Sequence, residues 1–403
     1  MEFLPDGTIT TAPGFRAGAT YAGLKAYGEN KLDLGLFYAE RPCAAAGVFT
    51  TNKVIAAPLL VDQEHLRGGQ AQALLVNSGI ANACTGEQGL LDARDMAAAT
   101  AQRLGLKPQD VLVASTGVIG VELPMGLIRS ALGKIELAPD AQAGHRLARA
   151  IMTTDTMPKE AALALDLPGC RATLGGIAKG SGMIAPAMAT MLAFLATDAA
   201  VEPSWLHAAL RRAVDASFNL VTVDMDTSTN DMVLVFANGQ AGNSPLRAGA
   251  PGAEAFEAAL TQLCIHLGKL IARDGEGATK LLEVRVEGAR SLEDARRAAR
   301  TIAGSPLVKT AAYGNDPNWG RVIAALGRSG AAMDLAKVTL YINDICMMDA
   351  GAPVPFYKEA AVIALKQPEV TIRLRLNLGE HSATAWGCDL TEGYVKINAS
   401  YTT

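Results

Sequence analysis

The chain has 403 residues, 50% of them hydrophobic and only 19% charged, and a net charge of −4. That excludes a disordered chain and leaves no basic field of the kind that holds nucleic acid. At roughly 100–200 residues per domain, the length allows two or three domains and a sizeable core.

Taken in chain order, residues 74–77 read as a buried strand running into a Ser-Gly turn, residues 91–104 as a helix stopped by Gly105, and residues 111–114 as a strand leading into Ser115-Thr116-Gly117. Residues 141–152 are a helix candidate, and residues 203–218 a stronger one with proline near the first turn. Residues 232–236 are a short apolar strand and residues 253–272 a long helix with apolar residues at helical spacing. The run 180–197 carries no charge over 18 residues, the lower edge for a membrane span. Its glycines, Pro186 and threonines, without a dense Leu/Ile/Val run, predict a buried loop and strand instead.

After Lys280 the texture changes. Residues 282–286 alternate as a strand, 291–302 form a basic helix capped by Ser291, 337–342 a strand and 356–366 a helix. Residues 370–378 place Val370, Ile372, Leu374 and Leu376 on one face and Thr371, Arg373, Arg375 and Asn377 on the other, the pattern of a half-buried antiparallel strand. Residues 394–398 are expected as its late partner. The expected division is therefore 1–279, mixing α and β, and a smaller α+β unit over 280–403.

The opening Met-Glu-Phe-Leu-Pro-Asp has no basic and no apolar region, so no signal peptide is expected. Six cysteines stand singly, without a C-x-x-C pair, and read as reduced thiols. The five histidines never cluster at ligand spacing. Asp224, Asp226 and Asp231 lack the glycine and distal glutamate of a calcium loop and read as a turn network near the site. No metal is expected. Trp319 is expected to pack and to help shape the site.

The densest segment is Gly175-Gly-Ile-Ala-Lys179-Gly-Ser-Gly-Met-Ile-Ala-Pro-Ala-Met-Ala189-Thr190-Met-Leu. It contains a G-x-G-x-x-A string, but Pro186 blocks the helix a dinucleotide fingerprint needs, and no P-loop lysine follows. A different chemistry fits one lysine, several glycines and a threonine. A threonine hydroxyl is a weak nucleophile that needs a base, and cleavage just before it creates that base as a new α-amino group. That amine has a pKa of roughly 7.7–8.0. Glycines permit the strained turn that cleavage requires. On residue chemistry alone, a purely structural Thr190 stays open and is the commoner case.

Lys179-Gly-Ser-Gly-Met-Ile-Ala-Pro with Met188-Ala189-Thr190-Met-Leu resembles the processing site of the ornithine acetyltransferase family, the bifunctional glutamate N-acetyltransferases of arginine biosynthesis. Further matching motifs are Asn77-Ser-Gly-Ile-Ala-Asn-Ala-Cys-Thr-Gly86, Ser115-Thr-Gly-Val-Ile-Gly120, Thr153-Thr-Asp-Thr156 and Asp224-Met-Asp-Thr-Ser-Thr-Asn-Asp231. Arg273-Asp-Gly-Glu-Gly-Ala-Thr-Lys280, Asn315-Asp-Pro-Asn-Trp-Gly-Arg321 and Asn398-Ala-Ser-Tyr-Thr-Thr403 complete the set. Ala187 departs from it, standing where many relatives have a polar residue such as Asn.

The resemblance implies cleavage between Ala189 and Thr190 into an α chain (1–189) and a β chain (190–403). It implies Thr190 as the acetyl-accepting nucleophile, Thr116 and Gly117 as the oxyanion hole, and substrate contacts at Thr154, Lys179, Thr190, Glu276, Asn398 and Thr403. A lysine with hydroxyl and amide donors suits an α-carboxylate, and Glu276 suits the δ-ammonium of acetylornithine. The implied reaction moves acetyl from N2-acetylornithine to L-glutamate through acetyl-Thr190, in a ping-pong cycle. Some members also take acetyl from acetyl-CoA. No CoA-specific motif is visible, so acetyl-CoA stays open as a co-substrate, and no other cofactor is expected. The implied fold is of the α/β (α+β) class, an αββα sandwich shared with self-processing aminopeptidases, followed by a smaller C-terminal α+β domain whose tail returns to the site. An α2β2 heterotetramer in the cytoplasm is implied, with neither nucleic acid nor membrane as partner. Two rival readings differ in outcome. A self-processing aminopeptidase or amidase would pass the acyl group to water, and a non-catalytic amino-acid-binding protein would keep an intact chain.

Overall fold

Alternate residues of the central strands enter different cores, and this sets the layers of the molecule. In the computed structural model, which describes residues 1–25, 31–185 and 191–400, Ala189, Thr190 and Thr403 lie outside the described residues. The first sheet contains β1 (Glu2–Leu4), β2 (Phe15–Thr20), β3 (Leu34–Phe49), β4 (Gln70–Ile80), β5 (Val111–Val118), β6 (Lys159–Leu167), β7 (Cys170–Lys179), β8 (Leu192–Thr197) and β9 (Met232–Ala237). Their order is β1-β6-β7-β8-β9-β3-β4-β5, with β2 paired to β3.

The long strand β3 serves both halves of this sheet. Leu34–Tyr38 pair with β4, and Ala44–Phe49 pair with β9, across a register shift between Tyr38 and Cys43. The two halves stack face to face. Phe37, Leu74, Val76, Leu112 and Ala114 from one half meet Ile177, Leu192, Phe194, Leu234 and Phe236 from the other in an inner core. The intervening residues of the same strands point outward. Leu34, Leu36, Leu75 and Val113 pack under α1 (Ala57–His65), α2 (Gly86–Leu104) and α3 (Met125–Leu132). Leu174, Leu195, Val233 and Val235 pack under α5 (Pro203–Asp215) and α6 (Ala253–Arg273), whereas the buried residues of α4 (Ala141–Ala150) join the inner core. This is the expected αββα layering. Strands buried on both faces show no apolar–polar alternation, so β6 and β7 carry little strand signal in the sequence.

The second sheet comprises β10 (Leu281–Ala289), β11 (Thr339–Ile342), β12 (Ile345–Asp349), β13 (Ala352–Pro353), β14 (Glu369–Arg375) and β15 (His381–Cys388), in the order β13-β12-β11-β14-β10-β15. The second sheet begins at Leu281, and one hydrophobic core runs across the change of sheet from Ala46 to Cys388. The helices here are α7 (Leu292–Ala303), α8 (Pro306–Tyr313), α9 (Trp319–Gly327), α10 (Lys358–Leu365) and α11 (Glu392–Ser400). Ser291 caps α7 as expected, its hydroxyl accepting the Asp294 N–H. Trp319 opens α9 and packs against the core.

Two expectations are corrected. β14 is antiparallel to β11 but parallel to β10. Residues 394–398 belong to helix α11, not to a strand partner of β14. Both flanks of β14 are already occupied, so no edge is left for a third neighbour. Among the described residues no helix is long and apolar enough to cross a membrane; the uncharged run instead supplies irregular chain over 180–185 and strand β8.

Candidate active site

The parallel neighbours β4 and β5 bring two sequence motifs side by side, with Asn77 opposite Ser115, Ser78 opposite Thr116 and Gly79 opposite Gly117. Gly117 has φ +132°, and a Cβ there would lie 2.2 Å from the Gly79 carbonyl carbon. Only glycine accepts both constraints. The polar side chains are tied down around them. The Ser115 hydroxyl donates to Asn77 Oδ1 at 2.6 Å, and Asn230 Nδ2 donates to the Ser115 carbonyl at 2.9 Å and to the Ala81 carbonyl at 2.6 Å.

Thr116 lies on the same face of β5 as Leu112 and Ala114, toward the inner core. Lys179, the last residue of β7, lies on the same face as Ile177, toward the same core. The two meet across the gap between the sheet halves, Lys179 Nζ donating to Thr116 Oγ1 at 3.4 Å. Both are buried. Burial pulls the Lys179 ammonium toward neutrality, and Lys159 adds to that pull; the carboxyl groups of Asp155, Asp231 and Glu276 oppose it.

The remaining candidates converge through the turn after Lys179. Thr154 Oγ1 and Ser181 Oγ share a hydrogen bond of 2.6 Å, and the Glu276 N–H donates to the Ser181 carbonyl at 2.9 Å. Asn398, on α11, donates from Nδ2 to Glu276 Oε2 at 2.7 Å. The Glu276 carboxylate rests on Gly182, where a Cβ would stand 2.3 Å from its Cδ. The structure therefore brings Thr116, Gly117, Thr154, Lys179, Glu276 and Asn398 into one connected cluster. Thr190 and Thr403 lie outside the described residues.

The aspartates of the 224–231 motif form a turn network here. Asp224 accepts the Met183 and Ile184 N–H groups at 2.6 and 2.8 Å, and Tyr394 donates to it at 3.3 Å. Asp231 Oδ1 accepts the Met191 N–H at 2.8 Å. Burial raises the pKa of both carboxyls. Among the described residues no group of three His, Cys, Asp or Glu is placed to hold a metal.

The profile of the ArgJ family matches residues 16–403. The chain belongs to the ArgJ family. The arginine biosynthesis bifunctional protein ArgJ of Symbiobacterium thermophilum is 54% identical over 403 residues, covering 100% of both chains. That of Dehalococcoides mccartyi is 52% identical over 403 residues, 100% of this chain and 99% of the relative. A crystal structure of the arginine biosynthesis bifunctional protein from Bacillus halodurans is 45% identical with a TM-score of 0.50, covering 51% of this chain and 96% of that one. The chain is thus an ArgJ-family enzyme of arginine biosynthesis.

The ArgJ-family motifs also hold residues that sequence reasoning did not single out. Asp155, inside Thr153-Thr-Asp-Thr156, accepts the Thr153 N–H at 2.9 Å, the Gly180 N–H at 2.7 Å and the Lys159 ammonium at 2.6 Å. Burial pushes its carboxyl up, but Lys159, Lys179 and these hydrogen bonds outweigh burial and hold it well below the usual carboxylate range. Lys159 at the start of β6 gives no signal in the sequence, where a lone lysine reads as a solvated side chain. Lys25 packs beside Gly79 and donates to the Leu32 and Met152 carbonyls at 3.0 and 2.6 Å; burial brings its pKa down to about 8.

Proposed function

We propose that this enzyme transfers acetyl from N2-acetylornithine to L-glutamate through an acetyl-Thr190 intermediate, after cutting itself between Ala189 and Thr190. The observation that carries the reading is the meeting of Thr116 and Lys179 in the buried gap between the sheet halves, at the strand end where Lys179 pairs with Leu192, two positions after Thr190 in the sequence. A hydroxyl and a backbone N–H held there stabilise developing negative charge more strongly than they would in water.

In this reading the Thr190 hydroxyl attacks the acetyl carbonyl of acetylornithine. The tetrahedral oxyanion is met by the Thr116 hydroxyl and the Gly117 N–H. The Thr190 α-amine takes the hydroxyl proton and delivers it to the departing ornithine amine. Glutamate then attacks acetyl-Thr190, and the same groups run in reverse. Lys179 with Thr154 receives the α-carboxylate common to both substrates. Glu276, oriented by Asn398 and supported on Gly182, faces the δ-ammonium of ornithine. Thr403 completes the substrate contacts from the C-terminus.

Chain cleavage would not separate the halves. β7 lies before the cut and β8 after it, and they pair from Leu174 with Thr197 to Lys179 with Leu192. The halves of the chain also share the β3–β9 pairing.

The test combines intact mass under denaturing conditions with an acetyl-transfer assay. Two fragments, the second beginning Thr-Met-Leu-Ala, and conversion of acetylornithine plus glutamate to ornithine plus N-acetylglutamate are expected. Thr190→Ala is expected to stay uncut and inactive. Free acetate formed regardless of glutamate would favour the hydrolase instead. Replacing acetylornithine with acetyl-CoA in the same assay tests the second activity that the relatives' name carries.

A further inference from the structure

Three stretches far apart in the chain supply the proposed substrate contacts: 153–156 with Thr154, 179–182 with Lys179, and 273–277 with Glu276. One buried side chain joins all three. Lys159 Nζ donates to Asp155 Oδ1 and to Asp274 Oδ2, both at 2.6 Å, and the lysine side chain is 0% exposed.

Each carboxylate then grips a neighbouring stretch. Asp155 Oδ1 accepts the Gly180 N–H at 2.7 Å, next to Lys179, and its Oδ2 accepts the Thr153 N–H at 2.9 Å. Asp274 Oδ2 accepts the Thr156 N–H at 3.0 Å, and its Oδ1 accepts the Thr156 hydroxyl. Thr154, Lys179 and Glu276 thus each sit within two residues of a group anchored on this centre. None of the three is itself part of it.

The charges argue against a mere filler of the core. One ammonium between two carboxylates leaves a buried excess negative charge, a costly arrangement where apolar side chains would pack as well. The excess is met by the Thr153, Thr156 and Gly180 N–H groups, and it faces the ammonium of Lys179. What the ion pairs add beyond packing is direction: each fixes one backbone stretch at one angle and one distance.

We propose that Lys159, with Asp155 and Asp274, is a positioning clamp that sets the mutual spacing of Thr154, Lys179 and Glu276 without touching substrate. The role assigned to those three rests on the acetyl-transfer reading; the clamp itself is testable without it.

The experiment compares the purified wild-type protein with Lys159→Met and Asp274→Asn by hydrogen exchange and by kinetics normalised to acetylatable Thr190. In Lys159→Met, exchange is expected to rise together in the peptides spanning 153–156, 179–182 and 273–277, while β10, β14 and β15 keep wild-type protection. KM for acetylornithine is expected to rise about tenfold or more with kcat per active site nearly unchanged, because binding groups are displaced while the oxyanion donors on β5 are not. Asp274→Asn keeps the Lys159–Asp155 pair and is expected to loosen 153–156 and 273–277 but not Gly180; it carries the test if Lys159→Met does not fold. Wild-type exchange at the three stretches, or a uniform rise over the whole chain, overturns the clamp. A wild-type protein that does not turn over acetylornithine overturns the acetyl-transfer reading instead, and the exchange data still decide the clamp.

Discussion

Thr116 and Lys179 are 63 positions apart on strands that are not neighbours, and their side chains meet at 3.4 Å across the space between the two halves of one folded sheet. The contact exists because β3 turns the sheet back on itself, so that the ends of β5 and β7 face each other.

If the Thr116 hydroxyl supports an oxyanion there, Thr116→Ala should lower kcat by roughly 10²–10³. KM should change little, since the donor acts only once charge develops. Steady-state acetyl transfer checks this, and an unchanged kcat would remove Thr116 from the oxyanion role.

Gly117→Ala should fail for a different reason. Its φ of +132° is closed to other side chains, and the added Cβ would overlap the Gly79 backbone on the paired strand β4, so the two strands would have to shift apart. A loss of about 3 kcal/mol or more is expected in urea denaturation. Wild-type stability would mean that β4 and β5 separate more easily here than their register implies.

The parts of this architecture that the sequence reveals are those with a one-sided environment. The amphipathic helices α5 and α6 and the Ser291 cap stand where periodicity and capping chemistry place them. β6 and β7 are buried on both faces, so their alanines, leucines and glycines show no period to read. Tyr394-Val-Lys-Ile-Asn398 alternates as a strand would, but five residues fit either period, and sheet occupancy decides for helix. Of the site, the motifs disclose the residues that would meet substrate. Lys159, Asp155 and Asp274 are invisible as a unit because nothing in a linear sequence marks which carboxylates a buried lysine will find.

Gly182→Ala tests the seat of Glu276. The new methyl would stand where the Glu276 carboxylate now lies, so that flexible end must swing away and lose its bond to Asn398. The backbone is spared, so stability should fall by less than about 1 kcal/mol. The KM for acetylornithine should rise more than that for glutamate. Equal effects on both substrates would separate Glu276 from recognition of the δ-ammonium.

Acid should act through Asp155. Its folded pKa is depressed below the unfolded value of roughly 3.9. Such a group contributes stability that is fully present above the unfolded pKa and is lost as pH falls through the folded one. Thermal melts should therefore show stability falling below about pH 4, with a shallower fall in Asp155→Asn, which is also less stable at neutral pH. Parallel curves for the two proteins would assign the acid loss to other carboxylates.

Thiol labelling gives a map of the core independent of activity. Burial pushes the Cys43 and Cys264 thiols up to about 12 and also raises Cys388, so almost none of the reactive thiolate exists at neutral pH. Cys84 is exposed, and Cys170 and Cys346 are partly so. Iodoacetamide on the native protein should modify Cys84 first, Cys170 and Cys346 more slowly, and Cys43, Cys264 and Cys388 only once urea opens the fold. Peptide mass mapping over time reads the order. Because Cys43 lies in the inner core and Cys264 in the outer one, native labelling of either would locate an opening in that layer and contradict its packing.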